Sequence, residues 1–153
     1  MKMMSVLKTF LKVVGLVFVV GLRAAGIGDY YSIENIAMPK GLDAQVGGLD
    51  TMPDGRLVAC FHRGEVYTYQ PKTGEWKLFA DGLQEPLGIR AISDREVVVM
   101  QRPELTRIID ENGDGVADRY QTIHDGFGMT GNYHEFAFGP ARDAKGNFYV
   151  GLN

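Results

Sequence analysis

The sequence predicts an all-β fold built from four-stranded antiparallel sheets, and three observations carry that prediction. Beyond Gly28 the apolar residues fall in short β-branched or aromatic runs, such as Val97-Val98-Val99 and Phe148-Tyr149-Val150, with almost no helical periodicity. Turn sequences such as Pro53-Asp54-Gly55 separate the runs. The pattern also recurs at a spacing of 40: Gly48-Leu49 returns as Gly88-Ile89, Asp54 as Asp94, Val58 as Val98, Cys60 as Met100 and Tyr69 as Ile109.

Each unit reads as four strands. The first has strands over 47–51, 56–60, 65–69 and 76–80, the second over 88–92, 96–100, 106–110 and 119–124. A third begins over 135–140 and has its second strand over 147–150. A period near 40 with four strands per unit is the mark of a β-propeller blade. Helical arrays of similar period do not fit the strand-forming runs. A single small meander would have to bury Trp76, Phe79, Phe136 and Phe138 at once. Propellers close with about four to eight blades and about two and a half are present. The chain therefore reads as the N-terminal part of a longer propeller.

Bulk composition agrees with one globular domain of tight turns: 153 residues, 45% hydrophobic, with 20 glycines, 8 phenylalanines, 7 tyrosines and 1 tryptophan. The net charge is −3. Lys2, Lys8, Lys12 and Arg23 precede Gly26 and no acidic residue does, which leaves twelve basic against nineteen acidic residues, or −7, beyond it. An acidic body argues against nucleic acid or an anionic membrane surface as the main partner. The single cysteine, Cys60, excludes an intrachain disulfide and reads as a small apolar strand residue.

Residues 1–26 have the layout of an export signal: lysines, the apolar run 13–22, then the small residues Ala24-Ala25-Gly26. The run is shorter than the roughly 20 residues of a spanning helix, so cleavage after Gly26 is the preferred reading. An uncleaved anchor is the alternative, since Arg23 follows the apolar run directly and Phe10 and Leu11 could extend it. Either way residues 27–153, the incomplete propeller domain, are placed in the periplasm or outside the cell.

The stretch 110–118 carries oxygen donors at alternate positions. Asp110, Asn112, Asp114 and Asp118 stand at the first, third, fifth and ninth places of a calcium loop, the carbonyl of Val116 at the seventh, and Gly115 at the sixth, where the chain must turn sharply. The twelfth place holds Gln121 rather than a bidentate glutamate, and both flanks are strand-like. The pattern therefore suits a five-ligand calcium loop between two antiparallel strands. Without a metal it is a polar hairpin, because Asn-Gly and Asp-Gly turn chains unaided.

Gly48-Leu49-Asp50-Thr51-Met52-Pro53-Asp54-Gly55-Arg56-Leu57-Val58, followed by His62-Arg63-Gly64-Glu65-Val66-Tyr67, resembles the first blade of soluble quinoprotein glucose/sorbosone dehydrogenases. Ala80-Asp81-Gly82-Leu83-Gln84-Glu85-Pro86-Leu87-Gly88-Ile89 looks like their link into the second blade. Thr106-Arg107-Ile108-Ile109-Asp110 resembles a branch of exported propellers described as membrane-bound dehydrogenases. The resemblance implies a six-bladed propeller and an enzyme that carries pyrroloquinoline quinone with calcium and oxidises a sugar or polyol. Asn132-Tyr133-His134-Glu135-Phe136-Ala137-Phe138-Gly139-Pro140 is similar to the neighbourhood of that family's catalytic histidine, though His134 stands closer to Phe138.

Oxidising an alcohol by hydride transfer needs a base for the hydroxyl proton and positive groups against the cofactor's carboxylates. His134 is the candidate base; Arg63 and Arg102 are the candidate cofactor-binding residues. In an up-and-down blade, loops between second and third strands share a face with the links between blades, so all three point to one mouth. The loop 110–118 falls on the opposite face, where its calcium would be structural. The alternative function is a non-catalytic, calcium-stabilised propeller that binds a glycan or protein partner. His62, His124 and His134 lack zinc-ligand spacing, no Gly-x-Ser-x-Gly elbow is present, and the glycine-rich 126–131 lacks the strand-to-helix setting of a dinucleotide site.

Overall fold

The computed structural model describes residues 26–153, so the expected export segment lies, Gly26 excepted, outside the described residues. The chain divides into a unit Met1–Asn35 and a unit Ile36–Asn153. In the described part of the first, one 3-10 turn, Ile27–Asp29, is closed by the Gly26 amide donating to Asp29 Oδ2 at 2.7 Å. Among the described residues no helix is long and apolar enough to cross a membrane.

The second unit is all-β. Strands β1 (Val46–Thr51), β2 (Leu57–Phe61), β3 (Val66–Gln70) and β4 (Glu75–Ala80) form one antiparallel sheet in sequential order. Strands β5 (Ile89–Ser93), β6 (Glu96–Met100), β7 (Leu105–Ile109) and β8 (Arg119–His124) form a second of the same topology. β9 (Ala137–Arg142) and β10 (Phe148–Leu152) pair antiparallel in a third. These strands fall within one or two residues of the expected ones. Turn chemistry sets the boundaries: Gly55 and Gly64, at φ 87° and 110°, end the first two connections where a side chain would be strained.

The two central strands explain the unbroken apolar runs. Val97, Val98, Val99 and Met100 of β6 are all fully buried. Because side chains alternate along a strand, the two faces of β6 serve different cores. Val97 and Val99 join Met52, Val58, Cys60, Phe79 and Ile108. Val98 and Met100 join Leu105 and, from the third sheet, Ala137. The second sheet is thus sandwiched between its neighbours, and each fully buried valine contributes roughly 1.5–3 kcal/mol. Of the aromatics that a single meander could not bury, Phe79 is fully enclosed, Trp76 and Phe136 are half-buried and Phe138 is exposed.

The first strands of the three sheets lie side by side, β1 against β5 and β5 against β9. Glycines make that approach possible. A Cβ on Gly48 would come within 2.7 Å of Gly88 Cα, and one on Gly47 within 1.9 Å of the Pro86 carbonyl oxygen. Where these first strands end, the turns that follow them are stitched together: Asp54 N donates to Asp94 Oδ1 at 2.8 Å, and Arg56 donates to the Asp94 carbonyl at 2.6 Å. Asp54 and Asp94 are the pair related by the 40-residue repeat.

Candidate ligand-binding site

Two turns and two links converge at one end of the sheets. The β2–β3 turn carries His62 and Arg63, and the β6–β7 turn carries Arg102. The link 81–88 carries Glu85, and the link 125–136 carries Asn132, Tyr133, His134, Glu135 and Phe136. Main-chain bonds lock the first link to both turns. Leu83 N donates to the Gly64 carbonyl at 3.2 Å, and Arg102 N to the Gln84 carbonyl at 3.0 Å. Gln84 N in turn donates to Gln101 Oε1 at 2.7 Å. At Gly64 a Cβ would stand 2.1 Å from the Leu83 carbonyl oxygen, so the turn and the link meet backbone to backbone.

Arg102 is the hub. Its Nη1 donates to Glu85 Oε2 at 2.8 Å, its Nη2 to the Asn132 carbonyl at 2.6 Å, and its guanidinium lies 5.6 Å from the centre of the Phe136 ring. The side chain is 13% exposed, and its Nε is buried without a partner. A planar, five-donor cation can hold these directions at once, whereas a lysine presents a point charge. Glu85 also faces the first sheet: its Oε1 lies 3.9 Å from His62 Nε2.

His134 is exposed. Its amide donates to Asn132 Oδ1 at 3.1 Å, and its ring stacks on the exposed Tyr133 with centres 3.9 Å apart. The neighbouring Glu135 accepts the Thr130 amide at 2.8 Å; hydrogen bonding from Thr130, with the charge of Arg102 adding to it, holds the Glu135 carboxyl below the usual carboxylate range. Beside this group lies a cavity of about 320 Å³ walled by Arg102, Phe127, Met129, Thr130, Glu135 and Phe136. That is the small end of the roughly 300–1,000 Å³ of ligand clefts.

The three expected site residues thus have different settings. Arg102 and the segment bearing His134 are joined directly through Asn132. Arg63 points elsewhere: its side chain is 70% exposed and pairs with Asp43, ahead of β1, at 3.1 Å. Its charge is therefore met by Asp43, and that of Arg102 by Glu85. A quinone's carboxylates would have to compete with both acids for these arginines. Sequence reasoning missed Glu85, Glu135, Phe127 and Met129. No spacing rule joins Glu85 to the other three, since they stand on two different links and are related only through Arg102.

The loop 110–118 lies at the other end, between β7 and β8. Asp110 is 4% exposed; its Oδ1 accepts the Gly113 amide at 2.6 Å and its Oδ2 the Gly115 amide at 2.9 Å. Asp118 accepts the Glu111 and Asn112 amides at 2.7 and 3.1 Å, and Asp114 the Val116 amide at 2.8 Å. The loop also docks on the neighbouring sheet: Ala117 N donates to the Phe79 carbonyl at 2.7 Å, and Lys77 Nζ to the Asp114 carbonyl. The donors are all oxygen, which suits a hard cation in kind. In this arrangement the carboxylates bind backbone amides, and among the described residues no three His, Cys, Asp or Glu side chains converge as a metal site.

Residues 71–152, just over half of the chain, match the family described as "Domain of unknown function (DUF7133)". The chain belongs to the DUF7133 family. No curated protein and no solved structure matches it. The DUF7133 segment starts in the β3–β4 turn and runs into β10, so it contains Glu85, Arg102, the loop 110–118 and the link with His134, while His62 and Arg63 precede it.

Proposed function

We propose that this DUF7133 chain is part of an exported β-propeller whose turn-and-link end binds a sugar or polyol, free or as part of a glycan. The observation that carries the reading is the cavity at Arg102. It sets a guanidinium and a carboxylate, Glu135, against the aromatic walls Phe127 and Phe136, beside the exposed Tyr133 and His134. Hydroxyl groups need fixed donors and acceptors, and the C–H face of a sugar needs an apolar or aromatic wall. The propeller part of the reading is supported by the repeated four-stranded meanders and by the glycine-mediated contact of their first strands.

Oxidation of the bound polyol is the second reading, favoured by one observation: Arg102 and the His134 segment meet through Asn132. In that reading His134 accepts the hydroxyl proton, and pyrroloquinoline quinone would supply the hydride acceptor. Binding without oxidation stands first because Asp43 and Glu85 already pair with Arg63 and Arg102.

The test is titration of the native full-length protein with a panel of hexoses and alditols by calorimetry, with quinone and calcium present in a parallel dye-reduction assay. Saturable binding is expected. Absence of binding to every polyol overturns the proposal. His134→Ala is expected to change affinity by less than about tenfold, an exposed rim contact being worth little. If dye reduction occurs and that substitution abolishes it, the second reading replaces the first.

Calcium enters this reading as a structural ion at the opposite end, held by Asp110, Asn112, Asp114, Asp118 and the Val116 carbonyl. At a hundredfold excess over its dissociation constant such an ion adds about 2.7 kcal/mol. A chelator is therefore expected to lower the melting temperature by roughly 10 °C. An unchanged value would make the loop a plain hairpin.

A further inference from the structure

We infer that Glu85 is a positioning residue for the Arg102 cavity, kept at a backbone position better suited to glycine because its carboxylate fixes the arginine. Among the described residues Glu85 is the one non-glycine with positive φ, at 45°. That region costs an L-residue steric strain that glycine does not suffer, and such outliers persist where the surroundings hold them and collect at working sites.

The course of the link does not require this side chain. Leu83, Gln84 and Leu87 already donate their amides to Gly64, Gln101 and Met100. What the side chain adds is a carboxylate between two sheets, with Oε2 at 2.8 Å from Arg102 Nη1 and Oε1 at 3.9 Å from His62 Nε2.

The consequence passes through Arg102 to the cavity wall. Arg102 Nη2 donates to the Asn132 carbonyl at 2.6 Å; Asn132 in turn receives the Glu135 amide on its carbonyl at 3.1 Å and the His134 amide on Oδ1 at 3.1 Å. Without Glu85 the guanidinium keeps the Asn132 carbonyl, the Phe136 face and the more distant charge of Glu135, and swings about them. Residues 130–136, which carry the Glu135 carboxylate and the Tyr133–His134 stack, then lose their fixed distance from Arg102. This inference deepens the polyol-binding reading and rests on it for the identity of the ligand, but the effect on the link exists without any ligand.

Two substitutions test it. Glu85→Gly removes the strain together with the carboxylate, and Glu85→Gln keeps an acceptor oxygen for Arg102. Three quantities are read on the native protein: melting temperature, hydrogen exchange of the Thr130, His134 and Glu135 amides, and affinity for the polyol found in the wild type. Glu85→Gly is expected to melt within a few degrees of wild type while those amides exchange about tenfold faster, local opening being distinct from global stability. Its affinity falls with them, and Glu85→Gln restores most of the protection. A residue that served stability alone would lower the melting temperature and leave the link no looser than the rest of the chain. Unchanged exchange at the three amides in Glu85→Gly overturns the inference, whatever the affinities. Faster exchange in a protein that binds no polyol upholds Glu85 and overturns the binding reading alone.

Discussion

Gly88→Ala is expected to destabilise the protein by about 3 kcal/mol or more, a large part of the roughly 5–15 kcal/mol that holds a domain together. A Cβ at this position would stand 1.4 Å from the Gly139 carbonyl oxygen and 2.4 Å from its carbon, and Gly88 Cα is itself the atom that a Cβ on Gly48 would meet at 2.7 Å. Backbone thus lies on both sides, and no side chain can rotate away to make room. Admitting one methyl group requires β5 and β9 to part, and β5 can yield only by pressing on β1, which lies against its other side.

The control is Gly82→Ala. Gly82 has open space around its Cα but φ 77°, so alanine there costs backbone strain of about 1–2 kcal/mol and no packing. Urea denaturation ranks the two. Cys60 supplies a second readout: its Sγ lies buried 3.9 Å from the Pro86 carbonyl oxygen, and burial pushes its thiol up to about 11. It should resist thiol reagents in the native wild type and react measurably faster in Gly88→Ala. Equal stability of the two variants would mean that the strands do not meet as described.

Arg102→Ala is expected to abolish polyol binding and to lower stability by about 2 kcal/mol. Breaking a fully buried pair costs about 3–5 kcal/mol because a charge is left without a partner. The smaller figure applies here because the Glu85 side chain is 34% exposed and water screens part of its charge. Arg102→Lys should restore little, since an ammonium cannot reach Glu85 and the Asn132 carbonyl together while lying flat on Phe136. Arg63→Ala separates the specific effect from loss of charge: that side chain is 70% exposed, so its pair with Asp43 is worth about 0–1 kcal/mol. Binding retained in Arg102→Ala, or lost equally in Arg63→Ala, would remove the cavity as the site.

Much of the scaffold was readable before any coordinates. The strand over 96–100 and that over 119–124 fall where the β-branched runs and their bounding turns put them, and the expected strand over 56–60 lies one residue from the observed Leu57–Phe61. Local chemistry decides such features: a turn glycine and a run of β-branched residues act over a few neighbours. The loop 110–118 was readable for the same reason. Its placement against Phe79 and Lys77 of the preceding sheet was not, because nothing local to 110–118 names the strand it will touch.

The candidate site was less legible. His134 and Arg102 stood out by residue type and by the strand count that puts their loops at one end. Arg63 stood out equally, and the fold pairs it with Asp43. Glu85 carried no signal in the sequence, since its importance lies in a φ of 45° and in two partners at His62 and Arg102.

The sequence by itself determined the elements of this protein: short strands in fours, a repeat of 40 residues, an acidic loop in the second repeat and an acidic body. The recurrence of Gly48 as Gly88 was visible as a pattern, but its cause was not. Tertiary structure decided that these glycines are where the sheets touch, that Arg102 and Phe136 wall one cavity, and that Glu85 and Asn132 hold Arg102 there. Turns and strands follow from interactions between near neighbours in the chain. Contacts between sheets depend on the path of two long links, which no local preference encodes.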